Sequence, residues 1–386
     1  MNLKTALRFT ILFKIKHLIL GVLILIKMYL LHMRVKKEFL LSKNIFHFFK
    51  LNTINMMTIK EYIEFGMLSD KMDLGEKLNF LTRNKQLQFH STVYNEYYDI
   101  LLNNKKIFKD LCKSYNIRTP LSLAVVNIHG MHKSVLSEII INTLDSIQNY
   151  PVIIKPIYGL CGKCIFKIDS YNKSSKFLKI AGTETCVGSL VDNLVNNVFK
   201  EYLVEEFINQ HDVLQEIYPI AANTVRVQTF YHNDNFHIAG ALLKYGISGR
   251  CVDNIGENQL YSLINVETGM TCKTLKIKGH TISDALRKNF IETLEYHPDT
   301  NKRISGILVP YWAEIIDVAK CCCANFSMFR SIGWDIAIGK DGPIVIEGNA
   351  DWTAKYQQIA GGGIYKEEIK YIIDSELQIN NRYRIS

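Results

Sequence analysis

The sequence has little proline, no low-complexity tract and no internal repeat. Only 7 of its 386 residues are proline, while 48% are hydrophobic and 22% are charged. This composition is typical of a globular chain and excludes a largely disordered one. A chain of 386 residues has room for roughly two to three domains of ordinary size.

The first fifty residues almost lack acidic side chains. Ten of the chain's 46 basic residues and one of its 37 acidic residues lie here. The segment therefore carries a net charge of +9, which equals the net charge of the whole chain. The remaining residues therefore hold 36 basic and 36 acidic side chains and sum to zero. A neutral body offers no broad phosphate-binding face, so we expect no nucleic-acid partner. The charged residues of the segment are Lys4, Arg8, Lys14, Lys16, Lys27, Arg34, Lys36, Lys37, Lys43, Lys50 and Glu38.

The sequence also lacks an uninterrupted apolar run of membrane-spanning length. The run Leu18 to Leu31 is broken by Lys27, whereas a spanning helix needs about 20 apolar residues. Its basic flanks are typical of a helix lying at an anionic membrane surface. A docked N-terminal helix with a basic outer face and a signal anchor are the alternatives. No small-residue cleavage site follows, which argues against a cleaved signal peptide.

Regular cysteine pairing is absent too. The chain has nine cysteines, and an odd number without even spacing predicts reduced thiols in the cytoplasm. Cys161 and Cys164 form one CxxC, but no second CxxC or histidine pair accompanies it, so we predict no zinc site. In the triplet 321–323, helical spacing predicts that Cys322 and Cys323 are buried.

The hydrophobic pattern predicts an α+β layout. Residues 58 to about 115 read as mostly helical, and strands alternate with helices afterwards. The chain ends in a hairpin, a Gly-rich loop and a terminal helix. The clearest elements between are a buried strand at 151–156, a hairpin of 224–231 with 236–245, and a helix over about 310–329.

The most informative stretch is the last hairpin. A turn centred on Asp341 places Asp335 directly opposite Glu347, with Asn349 on the same face two residues later. Two facing carboxylates destabilise a sheet unless a cation lies between them. Two carboxylates and an amide oxygen suit Mg²⁺, which keeps water and phosphate as its other ligands. The hairpin therefore predicts a magnesium site; an exposed hairpin end with solvated acids is the alternative.

A second group of residues suits phosphate. Lys155 ends a buried strand, and Gly159, Gly162 and Lys163 follow in a loop whose backbone N–H groups can approach an anion closely. The spacing is neither a Walker A loop nor a dinucleotide fingerprint. An ordinary strand and turn is the alternative interpretation of this stretch.

Two further stretches complete the candidate nucleotide site. The segment 203–208 runs from a strand into extended chain, where Phe207 and Ile208 would form apolar walls for an adenine ring. In the following hairpin, Arg226 and Lys244 are candidates for holding a transferred phosphoryl group. An ordinary core strand and outward solvated charges are the respective alternatives.

Taken together, these motifs resemble the ATP-grasp superfamily, and most closely its sugar-transfer-associated branch, over roughly residues 95–365. Further motifs carry the resemblance. They are Asn104-Lys105 with Phe108, Ile117-x-x-Pro120, Gln210-His211, Asn223-Thr224-x-Arg226, Asp253-Asn254, His297-Pro298-Asp299-Thr300 and Gly333-Trp334-Asp335.

The resemblance implies ATP and Mg²⁺ as cofactors and a role for each candidate residue. Gly333 departs from the superfamily pattern, because many ATP-grasp ligases carry an arginine there; Arg226, Lys244 or Arg330 would substitute. Cys164 stands where relatives often have a third loop glycine. The implied sets are Lys105, Lys155, Gly159, Gly162, Lys163, Glu205, Glu206, Phe207, Ile208 and Asp212 for ATP, Arg226 and Lys244 for catalysis, and Asp335, Glu347 and Asn349 for the metal.

The implied fold is an α+β ATP-grasp fold, in which two α+β subdomains grip ATP, preceded by a helical N-terminal region. The implied activity is an ATP- and magnesium-dependent ligase that joins an amino-acid-like carboxylate, through an acyl phosphate, to a sugar or other amine in polysaccharide biosynthesis. A catalytically silent ATP-binding scaffold of a glycan-assembly complex is the alternative. We expect a cytoplasmic protein with peripheral contact to the inner membrane face. The predicted domains are 1–50 (membrane-surface segment), 51–115 (helical region), 116–205 (subdomain 1) and 206–386 (subdomain 2 with the metal site).

Overall fold

The chain forms two compact units, each built from separate stretches of sequence. Unit 1 comprises Met1–Tyr94, Ile277–Thr293 and Asp351–Ser386, and unit 2 comprises Asn95–Lys276 and Leu294–Ala350. The four-part division drawn from the sequence stays a prediction. The computed structural model describes residues 14–27, 41–69, 71–159, 162, 164–180, 182–250, 258–279, 281–287 and 290–383.

Unit 1 is mainly helical. A capping box begins its third helix, where the Thr58 side chain accepts from the Glu61 N–H and the Glu61 side chain accepts from the Thr58 N–H, which satisfies two backbone donors at a helix start. The helices are α1 (14–27), α2 (Leu41–Asn55), α3 (Ile59–Glu64), α4 (Leu74–Leu78), α5 (Arg83–Val93), α11 (Ile282–Ala285), α13 (Lys355–Gly361) and α14 (Glu367–Tyr383). The short strand β11 spans Ile291–Thr293.

Helix α1 packs against α2 through one of its faces. Leu25 is fully buried, and the Phe48 ring occupies the space that a side chain at Gly21 would need. No helix in the described ranges is long and apolar enough to cross a membrane. Residues 28–31 of the predicted apolar run lie outside the described residues.

The first sheet of unit 2 positions the candidate phosphate-binding residues. Its strand order is β1-β6-β2-β3-β4-β5. Leu136, Ile140 and Leu144 of one helix and Leu190 and Leu194 of another are buried in its core. The strands are β1 (Ser122–Asn127), β2 (Val152–Pro156), β3 (Phe166–Asn172), β4 (Phe177–Ile180), β5 (Thr183–Cys186) and β6 (Glu201–Glu206), and the two helices are α8 (Lys133–Ser146) and α9 (Val187–Asn196).

The second sheet of unit 2 carries the carboxylate hairpin. Its order within the unit is β10-β9-β8-β7-β12-β13. The strands are β7 (Thr224–His232), β8 (Asn235–Tyr245), β9 (Asn258–Ile264), β10 (Thr271–Lys278), β12 (Ser331–Gly339) and β13 (Gly342–Asn349). The remaining helices of the unit are α6 (Asp99–Asn103), α7 (Lys105–Ser114), α10 (Asp212–Ile217) and α12 (Trp312–Asn325), with a 3₁₀ turn at Glu96–Tyr98.

One face of this sheet packs against α12 through aromatic side chains. Trp334 of β12 is fully buried, and its ring centroid lies 5.6 Å from that of Phe326, which lies 5.6 Å from that of Phe108 on α7. Because side chains alternate along a strand, Asp335 points to the opposite face. The aromatic cluster therefore fixes β12 in place and leaves the next residue for chemistry.

Several sequence predictions on secondary structure are confirmed. The hairpin predicted over 224–231 and 236–245 is β7 with β8, and the helix predicted over about 310–329 is α12, which is shorter at both ends. Cys322 and Cys323 are buried, as the helical spacing predicted, while Cys321 is exposed. Burial raises the pKa of the Cys323 thiol to about 11, which keeps it protonated and unreactive.

Candidate functional site

The carboxylate hairpin has the predicted pairing. Asp335 of β12 lies directly opposite Glu347 of β13, and Gly333 lies opposite Asn349. On its other side Asp335 lies opposite Arg226 of β7. Three neighbouring strands thus present an arginine, an aspartate and a glutamate in one row across the sheet, because directly opposite residues share a face.

The turn position that we predicted for this hairpin was wrong. The predicted pairing of Asp335 with Glu347 is nevertheless found, because a β-bulge shifts the strand register by one residue. Gly339 pairs with Gly342, so the turn residues are Lys340 and Asp341 rather than a turn centred on Asp341. Regular pairing from that turn would place Ile346 opposite Asp335. The register shifts between Asp335 and Ile336, and the extra residue in β13 moves Glu347 onto the face of Asp335.

Asp335 holds two cations. The Arg226 guanidinium donates from Nε to Oδ1 and from Nη2 to Oδ2, and both hydrogen bonds are 2.6 Å long. Lys244 Nζ lies 3.0 Å from Oδ1. Burial alone would raise the pKa of Asp335, but Arg226 and then Lys244 outweigh it and hold that pKa well below its ordinary value. The carboxylate is therefore ionised at any working pH.

The Asn349 side chain bridges the two acids. Its Nδ2 lies 3.5 Å from Asp335 Oδ2 and 3.3 Å from Glu347 Oε1, so a hydrogen-bond donor occupies the space between the carboxylates. A carboxylate oxygen has two lone pairs, and Arg226 uses one of those on Asp335 Oδ2. An amide flip, which exchanges the positions of the side-chain N and O of Asn349, would give two carboxylate oxygens and one amide oxygen facing a common point. That donor set fits Mg²⁺.

The phosphate-side residues converge in the first sheet. Lys155 is buried at the end of β2, and its Nζ lies 2.5 Å from Glu205 Oε1 on the neighbouring strand β6. Lys105 begins α7, where Asn104 caps the helix by accepting from the Lys106 and Ile107 N–H groups. The Lys105 ammonium donates to the Gly159 carbonyl at 2.8 Å. The contacts with Gly159 and Glu205 therefore hold Lys105 and Lys155, respectively, in fixed positions.

Lys109 is a further member of this cluster that the sequence pattern did not indicate. It is buried one turn after Lys105 on α7, forms an ion pair with Glu205 Oε2 and donates to the Pro120 carbonyl at 2.9 Å. Burial lowers the pKa of Lys109 to about 8, against the opposing effect of Glu205. Burial alone would raise the pKa of Glu205, but Lys155 and Lys109 outweigh it and lower that pKa. The sequence signal for Lys109 was its position four residues after Lys105, which places the two lysines on one face of a helix.

Lys105 links the two groups of residues electrostatically. Burial lowers the pKa of Lys105, Glu347 and Glu205 oppose this effect, and Lys155 adds to it. Both carboxylate groups therefore lie within electrostatic reach of one ammonium. The combined site has more cations than anions: Lys105, Lys109, Lys155, Arg226 and Lys244 against Glu205, Asp335 and Glu347. A surplus of positive charge on largely buried side chains favours a polyphosphate.

The predicted adenine segment follows directly from β6. The Glu206 N–H donates to the Leu121 carbonyl and the Phe207 N–H to the Pro151 carbonyl, at 3.0 and 3.2 Å. Glu206 is exposed and Phe207 is half-buried, with Lys167 Nζ 4.3 Å from the Phe207 ring centroid. The segment is therefore anchored by its backbone and presents an aromatic wall.

Three other residues predicted to bind ATP are Ile208, Asp212 and Gly162. Ile208 is half-buried. Asp212 lies in the first turn of α10, exposed, with Lys340 Nζ 3.4 Å from its Oδ1. Gly162 has a φ of +67°, a conformation that favours glycine. Lys163, Cys161 and the pair Asp253-Asn254 lie outside the described residues.

The fold and the site together define a protein class. A family model described as sugar-transfer associated ATP-grasp matches residues 84–372, which is most of the chain, so the fold is the ATP-grasp fold with helices preceding it. The chain belongs to the sugar-transfer associated ATP-grasp family. The predicted fold class and family resemblance are thereby confirmed, and the predicted kind of enzyme agrees with this family.

Among solved structures, similarity is found to D-alanine–D-alanine ligase from Helicobacter pylori at 13% identity and a TM-score of 0.39, over 72% of this chain and 61% of that one. D-alanyl-alanine synthetase A from Vibrio cholerae is 9% identical with a TM-score of 0.41, over 72% of this chain and 66% of that one. An L-amino acid ligase from Bacillus licheniformis is 11% identical with a TM-score of 0.36, over 72% of this chain and 50% of that one. The matches thus span about half to two thirds of those chains. No curated protein matches.

Proposed function

We propose that this chain is an ATP-dependent carboxylate–amine ligase that works through an acyl phosphate. The observation that carries the proposal is the row Arg226, Asp335 and Glu347 across three paired strands, coupled through Lys105 to Lys155. One end of the site offers fixed cations, and the other offers oxygen ligands. Phosphoryl transfer needs this combination of positioning and charge neutralisation rather than covalent help from the protein.

Each group of residues has a distinct task in this proposal. Lys105 and Lys155 hold the phosphates of ATP, and the loop after Lys155 supplies backbone N–H donors. Glu205 fixes Lys155 in place through their contact of 2.5 Å. The segment 206–208 faces the adenine ring, with Phe207 as its aromatic wall. Asp212 is the proposed ribose contact, although it pairs with Lys340 at 3.4 Å here.

Asp335, Glu347 and Asn349 are the proposed magnesium ligands. When bound, Mg²⁺ would neutralise charge on the phosphate oxygens. The strand register already sets the spacing of the three side chains. Asp335 additionally orients Arg226 and Lys244, because both cations contact its Oδ1 at 2.6 and 3.0 Å.

The proposed reaction has two steps. A carboxylate oxygen of the donor attacks the γ-phosphorus of ATP; the P–O bond to the β-phosphate breaks, and ADP leaves with its electron pair. The amine nitrogen then attacks the acyl carbon, the C–O bond to phosphate breaks, and the nitrogen gives one proton to solvent. In this proposal Arg226 and Lys244 stabilise the negative charge that develops on the transferred group and on the tetrahedral oxygen.

We propose an amino-acid-like carboxylate as the donor and an amine on a sugar as the acceptor, within polysaccharide biosynthesis in the cytoplasm. The family's association with sugar transfer supports the acceptor class. The solved structures noted above include ligases of D-alanine and of L-amino acids, which is compatible with an amino-acid donor. The fold itself does not fix the substrate.

The test is substrate-dependent ADP release. The full chain would be incubated with Mg-ATP and pools of amino acids, with and without nucleotide-linked amino sugars, and ADP would be recorded. We expect release that depends on both substrates and falls at least about 100-fold in Glu347→Gln. The matched control is Asp317→Asn, which removes one exposed carboxylate on α12 and should leave the rate unchanged.

A different result would favour the scaffold alternative. A scaffold would bind ATP but release no ADP in response to any substrate pool, and Glu347→Gln would then leave the ADP signal as low as before. ATP affinity measured by calorimetry separates that outcome from a misfolded preparation. Absence of ATP binding by the folded chain would remove both interpretations.

A further inference from the structure

Helix α1 has two apolar faces, and within the described part of the chain one is buried while the other is exposed. Leu25 is fully buried and Gly21 contacts Phe48, while Ile19 and Leu23 are 56% and 59% exposed. Ile15, Leu20 and Ile26 are exposed as well. Residues four apart follow one stripe of a helix, so the exposed side chains form a continuous outer stripe. A surface helix ordinarily carries polar residues on this side.

On helices α1 and α2 the charged side chains are all basic. Residues 14–27 and 41–55 together contain five lysines and no acidic residue. Lys16 and Lys27 are exposed, whereas Lys14 Nζ donates to the Thr53 carbonyl at 2.8 Å and ties α1 to the end of α2. An apolar stripe between lysines is complementary to a surface that is negatively charged outside and apolar just beneath.

Helix α2 repeats the arrangement. Its packed side includes Phe48 and Leu51, which are fully buried, while Phe46 and Phe49 are exposed. Lys50 Nζ lies 5.8 Å from the Phe46 ring centroid. Aromatic side chains with a lysine beside them are suited to the headgroup region of a bilayer. Two neighbouring helices of unit 1 therefore expose the same chemistry.

We propose that the outer stripe of α1, formed by Ile15, Ile19, Leu20, Leu23 and Ile26, docks unit 1 on an anionic lipid bilayer. The helix lies in the plane of the surface, because its exposed apolar side chains follow one side of the helix along its length. The stripe enters the acyl boundary, and Lys16 and Lys27 contact phosphate headgroups. This inference is independent of the proposed ligase activity.

The test is flotation of the full chain with vesicles through a density gradient. Vesicles containing phosphatidylglycerol are compared with vesicles of phosphatidylcholine alone. We expect the wild type to float with the anionic vesicles, and the double variant Ile19→Gln, Leu23→Gln to lose about tenfold in bound fraction. The pair Lys16→Gln, Lys27→Gln should lose a similar factor and much of its salt dependence.

The matched control removes exposed apolar side chains elsewhere. Val198 is 84% and Leu308 59% exposed in unit 2, and Val198→Gln with Leu308→Gln should float as the wild type does. The proposal is overturned if this control loses binding equally, or if the α1 variants float like the wild type. Sedimentation that shows a dimer dispersed by the Ile19, Leu23 variant, without vesicle binding, would assign the stripe to self-association instead. Should the apolar variant lose helical content, the lysine variant decides alone.

Discussion

Glu205 is the common counter-ion of two buried lysines, and this makes its removal more damaging than removal of either lysine. Glu205, Lys109 and Lys155 are all almost completely buried, and each lysine contacts a different oxygen of the carboxylate. Glu205→Gln leaves two like charges buried together without an acid. Lys109→Met leaves the neutral pair of Glu205 with Lys155.

The magnitudes follow from this asymmetry. Breaking a buried ion pair so that a charge is left uncompensated costs about 3–5 kcal/mol, and we expect that range for Glu205→Gln. Lys109→Met loses hydrogen bonds to Glu205 and to the Pro120 carbonyl but also removes a desolvated charge. Its net cost should be about 1–2 kcal/mol. Urea unfolding read by pulse proteolysis measures both values.

The pH dependence provides a second, signed readout. Burial lowers the pKa of Lys109 from 10.5 to about 8. Between these values the unfolded chain binds more protons than the folded chain, so the contribution of Lys109 to stability rises with pH in that window. The penalty of burying its charge is fully present below pH 8. Wild-type stability relative to Lys109→Met should therefore increase from pH 8 towards pH 10.

Two outcomes would refute this reasoning. If Glu205→Gln costs no more than Lys109→Met at pH 7, Glu205 is not the shared counter-ion of the cluster. If the stability difference between the wild type and Lys109→Met is flat between pH 8 and pH 10, Lys109 does not titrate as its burial requires.

Three further predictions concern single positions. Lys105→Met should raise the KM for ATP about tenfold through loss of one phosphate contact, measured by ADP release, whereas Lys106→Met, which removes a half-buried neighbour paired with Asp110, should not. Asp335→Asn should reduce ADP release at least about 100-fold and lower the melting temperature, because two cations lose their acid; an active, equally stable variant would contradict this. Gly348→Ala should destabilise the chain by about 1–3 kcal/mol, since its Cβ would lie 2.7 Å from the Trp334 ring; an unchanged unfolding midpoint would count against that packing.

The carboxylate hairpin shows what local sequence pattern can and cannot predict. Alternation and a turn centred on Asp341 predicted Asp335 opposite Glu347, and this pairing is found only because a bulge offsets the misplaced turn. The local pattern was not sufficient to locate the turn, because the true turn at Lys340 and Asp341 alone would put Ile346 opposite Asp335. The bulge that corrects the register depends on pairing across the strands, which no short-range pattern encodes.

Lys109 illustrates a different limit. In the sequence it reads as an ordinary polar position of a helix, four residues after Lys105. Its role depends on Glu205, which is 96 residues away in the chain. A buried charge and its partner are set by tertiary packing, so only the folded chain reveals the pair. Unit 1 is likewise assembled from three separate stretches of the chain, and this arrangement is set by tertiary contacts rather than by local sequence pattern.

Helix α7 holds two parts of the site on one rigid rod. Lys105 reaches the Gly159 carbonyl from its first turn, and Lys109 reaches Glu205 from the next. A tilt of this rod would pull on the loop and on strand β6 at the same moment. Any opening that admits a nucleotide by moving α7 must therefore weaken the Lys105–Gly159 and Lys109–Glu205 contacts together.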